Sequence, residues 1–239
     1  MIRLRSIIFN LGMWAMVIPF SLLTLLTLLL IPMSAPRRSH IIAGGARLIV
    51  RWLELACGLR YRVIGRENIP DHPSVILAKH QSAWETIAFQ TIFPPQIWVL
   101  KRSLLLLPFF GWALWALKSI AIDRGAGREA LKQLVFQGKD RLKLGLWVVI
   151  FPEGTRTAPG QKGKYHIGGA WLASHAKATV VPVAHNAGEF WRKNSLLKHP
   201  GTITVSIGKP IEAAGMKPDE LNKQVEEWIE AEMPRLNNL

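Results

Sequence analysis

Between Ile7 and Ile31 the chain carries no charged residue, and Pro32 closes the run. As a helix rising about 1.5 Å per residue, that run is long enough to cross a hydrocarbon core of about 30 Å. Pro19 inside it is expected to kink the helix or divide it. Arg3 and Arg5 mimic the charged start of a signal peptide, but the apolar run exceeds a typical signal core. Pro36-Arg37-Arg38 behind Met33-Ser34-Ala35 also disfavours cleavage, so a retained anchor over residues 1–34 is expected. Residues 35–60 read as a second helix centred on 41–59. Leu48, Trp52 and Leu55 lie along one side, Arg47 and Arg51 along another, which suits either an interfacial helix or a domain-packing one.

From Tyr61 the texture changes to short apolar runs broken by polar turns. Strands are predicted at 60–65, 74–78, 97–100, 119–122, 146–151, 178–183 and 203–207. Helices are predicted at 128–144, 169–174 and 218–233. This alternation predicts an α/β domain over 61–239, with a largely buried mixed sheet flanked by helices. The run Leu104–Leu107, with Trp112 and Trp115 after it, is unusually apolar. Core, acyl-chain channel and bilayer-facing patch are all open readings of it.

At 239 residues the chain holds one substantial domain. Lys and Arg total 30 against 16 Asp and Glu, a net charge of +14. Such a surplus suits anionic lipid, phosphorylated substrates or nucleic acid. A hydrophobic fraction of 49% is too low for a polytopic membrane protein. Cys57 is the sole cysteine, so no internal disulfide forms, and the seven scattered histidines lack zinc-site spacing. No glycine-rich nucleotide loop, helix-turn-helix or zinc-finger signature is present, so nucleic acid is not an expected partner. The arginines before the apolar run and the heavier group after it (Arg37, Arg38, Arg47, Arg51, Arg60 and Arg62) compete for orientation. The heavier group places the domain on the cytoplasmic side of a bacterial inner membrane, and a shallow hairpin satisfies both groups.

Two polar clusters each follow a strand-like run: Lys79-His80-Gln81-Ser82-Ala83-Trp84-Glu85 and Phe151-Pro152-Glu153-Gly154-Thr155-Arg156. An unactivated alcohol is a poor nucleophile near neutral pH, and a histidine held by a carboxylate is the usual remedy. On one continuous helix, His80 and Glu85 would point about 140° apart. They meet only if His80 sits in a strand-to-helix turn and the helix starts afterwards, near Ser82. Ser82 and Glu85 also have capping-box spacing, so Glu85 has two competing uses. Arg156 offers a guanidinium fork for a phosphate, and Arg124 ends another strand-like run in the same manner. Lys101 and Lys164 add point charge. Glu153 is expected to orient Arg156.

These clusters, in this order, resemble the 1-acylglycerol-3-phosphate acyltransferase family from about Arg62 to Pro210. His80 and Glu85 match its histidine and acidic partner, and the second cluster matches its glycerophosphate-binding block without a break. Lys101, Pro108 and Gly111, then Asp123 and Arg124, resemble an intervening block; Lys164 and Val181-Pro182-Val183 resemble the last. The family usually has Asp in place of Glu85 and often Asn in place of Lys79. The resemblance implies acyl transfer from coenzyme A or acyl carrier protein to the 2-hydroxyl of 1-acyl-sn-glycerol 3-phosphate (lysophosphatidic acid), giving phosphatidic acid at a phospholipid membrane. It implies His80 as base, Glu85 as its orienting acid, and Lys101, Arg124, Glu153, Gly154, Thr155, Arg156 and Lys164 at the substrate. No metal or cofactor is implied, and Cys57 has no role. Transfer to another lysophospholipid or to glycerol 3-phosphate is the nearest alternative. A non-enzymatic anionic-lipid binder is the more distant one.

Overall fold

The computed structural model describes residues 1–107 and 110–237; Pro108, Phe109 and the side chain of Arg124 lie outside the described residues. Two helices lead the chain, α1 (Ile2–Leu30) and α2 (Ala35–Cys57). Pro19 sits within α1 without dividing it. The second helix starts earlier than the 41–59 pattern predicts, because Pro36 falls in its first turn, where a missing N–H costs nothing. Gly58, at φ 67°, ends it.

The pair is antiparallel. Arg5 Nε donates to Ala56 O (2.8 Å), Trp52 Nε1 donates to Phe9 O (3.2 Å), and Phe20 lies against Gly45. A side chain at Gly12 would collide with the Trp52 indole, so glycine there permits the close approach.

The sheet domain follows as β1 (Leu59–Ile64), β2 (Val75–Ala78), α3 (Trp84–Ile92), β3 (Gln96–Lys101), α4 (Phe110–Ala116), β4 (Ile120–Ile122), α5 (Gly127–Lys143) and β5 (Trp147–Ile150). Then come α6 (Gly168–Ala176), β6 (Thr179–His185), α7 (Ala187–Phe190), β7 (Gly201–Ile207), β8 (Ile211–Glu212) and α8 (Pro218–Asn237). Strand order is β1-β7-β6-β2-β5-β3-β4, with β8 beside β6. Most neighbours are parallel; β6 pairs antiparallel with β7 and β8, so the sheet is mixed as the pattern predicts. Strands β2, β5 and β6 are buried at every residue, which explains their unbroken apolar runs.

Parallel crossovers are right-handed, so their direction decides which face each helix covers. The chain moves one way from β2 through α3 to β3 and through α4 to β4. It moves the opposite way from β4 through α5 to β5 and through α6 to β6. Helices α3 and α4 therefore cover one face, and α5 and α6 the other. The packing agrees: α2 lies on α3 and α1 on α4, whereas α5 lies on α6 and α6 on α8. At the C-terminal ends of adjacent β2 and β5 the chain departs to opposite faces. This is the switch point at which open α/β sheets bind ligands.

Of the Leu104–Leu107 run, Leu105 packs against the core and the others stay outside it. Leu104, Leu106, Leu107, Trp112 and Trp115 are exposed, Leu106 at 83%, while Leu114 and Leu117 are buried.

Candidate active site

Both polar clusters lie at the switch point. His80 follows β2 in an extended turn, and α3 begins only at Trp84, as the His80–Glu85 geometry requires. The His80 Nδ1 lies 2.8 Å from Glu85 Oε1. The same oxygen accepts the backbone N–H groups of Gln81 (2.9 Å) and Ser82 (2.8 Å). The two competing uses of Glu85 are thus one arrangement: a carboxylate that caps the turn also receives the imidazole. Ser82 completes the turn by accepting Trp84 N–H at 3.1 Å.

Glu85 is fully buried. Burial by itself raises its carboxyl, but the His80 hydrogen bond and the Ser82 amide help to outweigh that and hold it below the usual carboxylate value. With an ionised oxygen opposite Nδ1, the proton belongs on Nδ1. Nε2 is then the basic nitrogen, and it has no hydrogen-bond partner among the described residues. The His80 side chain is 14% exposed, and its ring stacks on Phe151 (4.0 Å between centroids, 12° between planes). Phe151 is available for that stack because β5 stops at Ile150, one residue short of the predicted run.

The second cluster fixes His80 by its backbone. Glu153 Oε2 accepts His80 N–H (2.9 Å), and His80 O accepts the amide (2.8 Å) and hydroxyl (3.1 Å) of Thr157. Glu153 Oε1 accepts Thr157 Oγ1 (3.1 Å) and Gly163 N–H (3.2 Å), and lies 2.9 Å from Lys79 Nζ. Any Cβ at Gly163 would press on Glu153 and Thr157. The expectation that Glu153 orients Arg156 is therefore wrong: both of its oxygens are committed to Lys79, Thr157, Gly163 and the His80 backbone. The physical reason is that Lys79 ends a strand buried on both faces, so its ammonium needs carboxylates nearby.

Lys79 Nζ also contacts Glu230 Oε1 of α8 (2.8 Å) and Gln161 O (3.2 Å). Tyr165 donates to the same Glu230 oxygen at 2.8 Å, and burial with that partner pushes its hydroxyl pKa up, so it stays a donor. His185, ending β6, donates from Nε2 to Lys79 O (2.8 Å) and accepts Ala187 N–H at Nδ1 (3.3 Å). Burial lowers its pKa, and the two bonds suit a neutral ring. Glu230, Tyr165 and His185 escaped the sequence reading. Lys79, a lysine directly after a wholly apolar strand, was the one local sign that buried acids must lie close by.

The cationic candidates occupy the same edge. Lys101 closes β3 and is exposed, Arg156 is half-buried after β5, and Lys164 is exposed in the following loop. No ion pair engages any of the three among the described residues. Asp123 caps the turn holding Arg124 by accepting Gly125 N–H at 3.0 Å. Lys193 Nζ braces the second cluster from outside, donating to Arg156 O (2.9 Å) and Thr155 Oγ1 (3.2 Å). Gly154, at φ 67°, turns the chain between Glu153 and Thr155, and both Gly154 and Thr155 line a cleft of about 400 Å³ between α5, α6 and this loop. Among the described residues no cluster of His, Cys, Asp and Glu suits a metal ion. Cys57 is buried at the end of α2, its thiol 3.6 Å from Arg5 O.

Comparison with known proteins agrees with this geometry. A family model described as Acyltransferase matches residues 60–186. A 1-acyl-sn-glycerol-3-phosphate acyltransferase of Pseudomonas aeruginosa is 44% identical over 98% of this chain and 92% of its own. One from Saccharomyces cerevisiae is 31% identical over 76% of this chain and 61% of its own. The crystal structure of a 1-acyl-sn-glycerophosphate acyltransferase from Thermotoga maritima shares the fold, with a TM-score of 0.81 at 22% identity, over 99% of this chain and 98% of the other. This chain is an enzyme of the acyltransferase family, in the branch of the 1-acyl-sn-glycerol-3-phosphate acyltransferases.

Proposed function

We propose that the enzyme moves an acyl group from a coenzyme A or carrier-protein thioester to the 2-hydroxyl of 1-acyl-sn-glycerol 3-phosphate, forming phosphatidic acid. The observation that carries this reading is the 2.8 Å contact of His80 Nδ1 with a buried carboxylate, which leaves Nε2 open at the switch point. Nε2 takes the hydroxyl proton as the oxygen attacks the thioester carbonyl, and returns it to the departing thiolate as the tetrahedral intermediate collapses. Glu85 keeps Nδ1–H in place and stabilises the transient imidazolium. Arg156, with Arg124, Lys101 and Lys164, holds the acceptor phosphate. The Gly154 N–H is spent on Phe151 O (3.0 Å), so the backbone donor near this turn for the developing oxyanion is that of Thr155.

Activation comes from the thioester, so these residues need neither metal nor cofactor. Lys101 closes β3 and Arg156 follows β5 on the edge that carries His80, with Lys164 in the loop beyond, and this charge supports a phosphomonoester acceptor over a neutral lysolipid.

The reading also covers how the enzyme meets its lipid. Exposed Leu4, Ile7, Leu11, Trp14, Ile18, Leu22 and Leu26 form one continuous stripe on α1. Yet α1 is attached to the domain near both ends: Ser6 and Asn10 bond Lys198, and Phe20, Ser21, Thr24 and Leu25 share an apolar cavity with Leu114 and Leu117. A helix held along its length cannot place one end beyond the far leaflet. We therefore read α1 as lying in one leaflet, its outer stripe continued by Leu106 and Trp115, with the domain on the cytoplasmic side.

Purified enzyme assayed with lysophosphatidic acid, glycerol 3-phosphate and a neutral lysolipid, each with both thioesters, tests the reaction. Preferred turnover of lysophosphatidic acid is expected. A preference for the neutral lysolipid would remove the phosphate assignment, and absence of any acyl transfer would remove the reaction.

A further inference from the structure

Helix α5 presents a face that the reaction just described does not use. At about 100° per residue, Arg128, Lys132, Phe136, Lys139 and Lys143 fall within an arc of roughly 80°. All five are exposed, and Phe136, at the centre of the basic stripe, is 79% exposed. Lys132 contacts Glu129 at 3.5 Å, a pair open to solvent and therefore weak. Arg128, Lys139 and Lys143 have no ion pair among the described residues. A bulky apolar side chain between Lys132 and Lys139, with the cationic stripe on one side and exposed Glu129 and Asp140 on the other, suits an acidic partner with an apolar anchor point.

Three features choose among acidic partners. First, α5 covers the sheet face opposite α3 and α4, whereas the apolar stripe of α1 belongs to the α3–α4 side. The stripe on α5 therefore faces away from the bilayer surface, and lipid headgroups are not its natural counterpart. Second, the inner face of the same helix (Ala130, Leu131, Leu134) lines the 400 Å³ cleft that reaches Phe151, the ring stacked on His80. Docking on α5 thus sets a partner beside a cleft that ends at the ring packed on the base. Third, no Lys or Arg lines that cleft among the described residues, so it suits a long uncharged arm better than the phosphates of a free nucleotide.

We propose that the outer face of α5 docks an acidic helical carrier protein, and that the cleft beneath the helix admits the thioester arm the carrier bears. This inference rests on the acyl-transfer reading and names the donor's partner surface. The stripe runs about 22 Å from Arg128 to Lys143, the length of a short helix on the partner. The cations steer encounter and set register, and Phe136 supplies apolar contact at the centre.

The test compares K132E/K139E and F136A with the unaltered enzyme, using the same acyl chain on acyl carrier protein and on coenzyme A. The charge-reversal variant is expected to raise KM for the carrier-borne donor about tenfold or more, with KM for acyl-CoA within about twofold. F136A should act in the same direction. Raising salt should weaken carrier use by the unaltered enzyme and change the variant little. Binding of each variant to anionic phosphatidylglycerol vesicles is expected to be unchanged, and thermal melts confirm folding.

Equal loss with both donors, or no loss with the carrier, overturns the proposal. Loss of vesicle binding in the variants assigns the stripe to lipid and also overturns it. An unaltered enzyme that uses acyl-CoA but never the carrier-borne donor sinks the docking surface and leaves the acyl-transfer reading standing. Inactivity with both donors would instead remove that parent reading.

Discussion

The edge of the sheet holds two kinds of charge. Lys79, Glu85 and Glu153 are fully buried or nearly so, and every cation among them has carboxylate partners within 3 Å. On the same edge, Lys101 and Arg156 follow strands and Lys164 lies in a loop, with no ion-pair partner among the described residues. The first set is satisfied before substrate arrives, so it holds His80 at no reorganisation cost during reaction. The second set is left open for a ligand that brings its own negative charge. Removing a buried charge should therefore damage the protein or the chemistry, while removing a rim charge should damage only substrate use.

The largest effect is expected where the buried set meets the substrate. His80→Ala should lower turnover by about 10²–10⁴-fold, because Nε2 is the open proton acceptor proposed for the hydroxyl. Steady-state rates, with vesicle binding as a control, decide it; turnover within a few-fold of normal would displace the base from His80. Next comes Lys79→Met, which leaves the carboxylates of Glu153 and Glu230 facing one another without a cation. A stability loss of about 3–5 kcal/mol is expected. Denaturant unfolding measures it, and a loss below about 1 kcal/mol would show that water or protonation compensates the two acids.

That contrast also explains what could be read in advance. Strand-end placement of both clusters was legible because each follows an apolar run fit only for a buried strand. The meeting of His80 with Glu85 was legible as a condition, namely a helix that starts after the histidine. The partner of Glu153 was not. Local spacing offered Arg156 three residues on, whereas the contacts are Thr157 one residue further and the distant Lys79, Gly163 and His80 amide, brought together by strand pairing and a loop. Glu230 lies 151 residues from Lys79, and no local pattern encodes such a contact. The leucine-rich segment misled for a related reason: composition says that Leu106 and Trp115 prefer to leave water, but not whether protein or lipid receives them.

Arg156→Ala sharpens the comparison from the rim. No hydrogen bond or ion pair engages the guanidinium among the described residues, so stability should change by no more than about 0.5 kcal/mol. Loss of charge-assisted hydrogen bonds to phosphate should weaken use of the phosphorylated acceptor by about 10–100-fold, mainly in KM. A neutral acceptor should be nearly indifferent. Melting curves and acceptor titrations together separate the outcomes, and an equal loss with both acceptors would return Arg156 to a structural role.

Lys198 supplies the smallest effect and the finest division within the buried set. Its ammonium is as hidden as that of Lys79, yet its partners are neutral: Asn10 Oδ1 (2.6 Å), Leu196 O (2.9 Å), and the ring faces of Phe9 (5.0 Å) and Trp191 (4.6 Å). Burial lowers its pKa from 10.5 to about 8, and the nearby Cys57 thiol opposes that only in part. Between pH 8 and 10.5 the unfolded chain keeps this proton while the folded protein has released it, so stability should rise with pH across that window. Below about pH 8 both states are protonated, and the cost of burying the cation is constant and largest. The slope from one such group is at most about 1.4 kcal/mol per pH unit. In K198M the rise should vanish, leaving only the pH dependence of the remaining groups. Thermal midpoints of both proteins at pH 7.5, 8.5 and 9.5, buffer for buffer, measure the difference. Because Lys198 joins α1 to the domain, parallel curves would mean that this junction holds its cation by a partner the neutral groups do not provide.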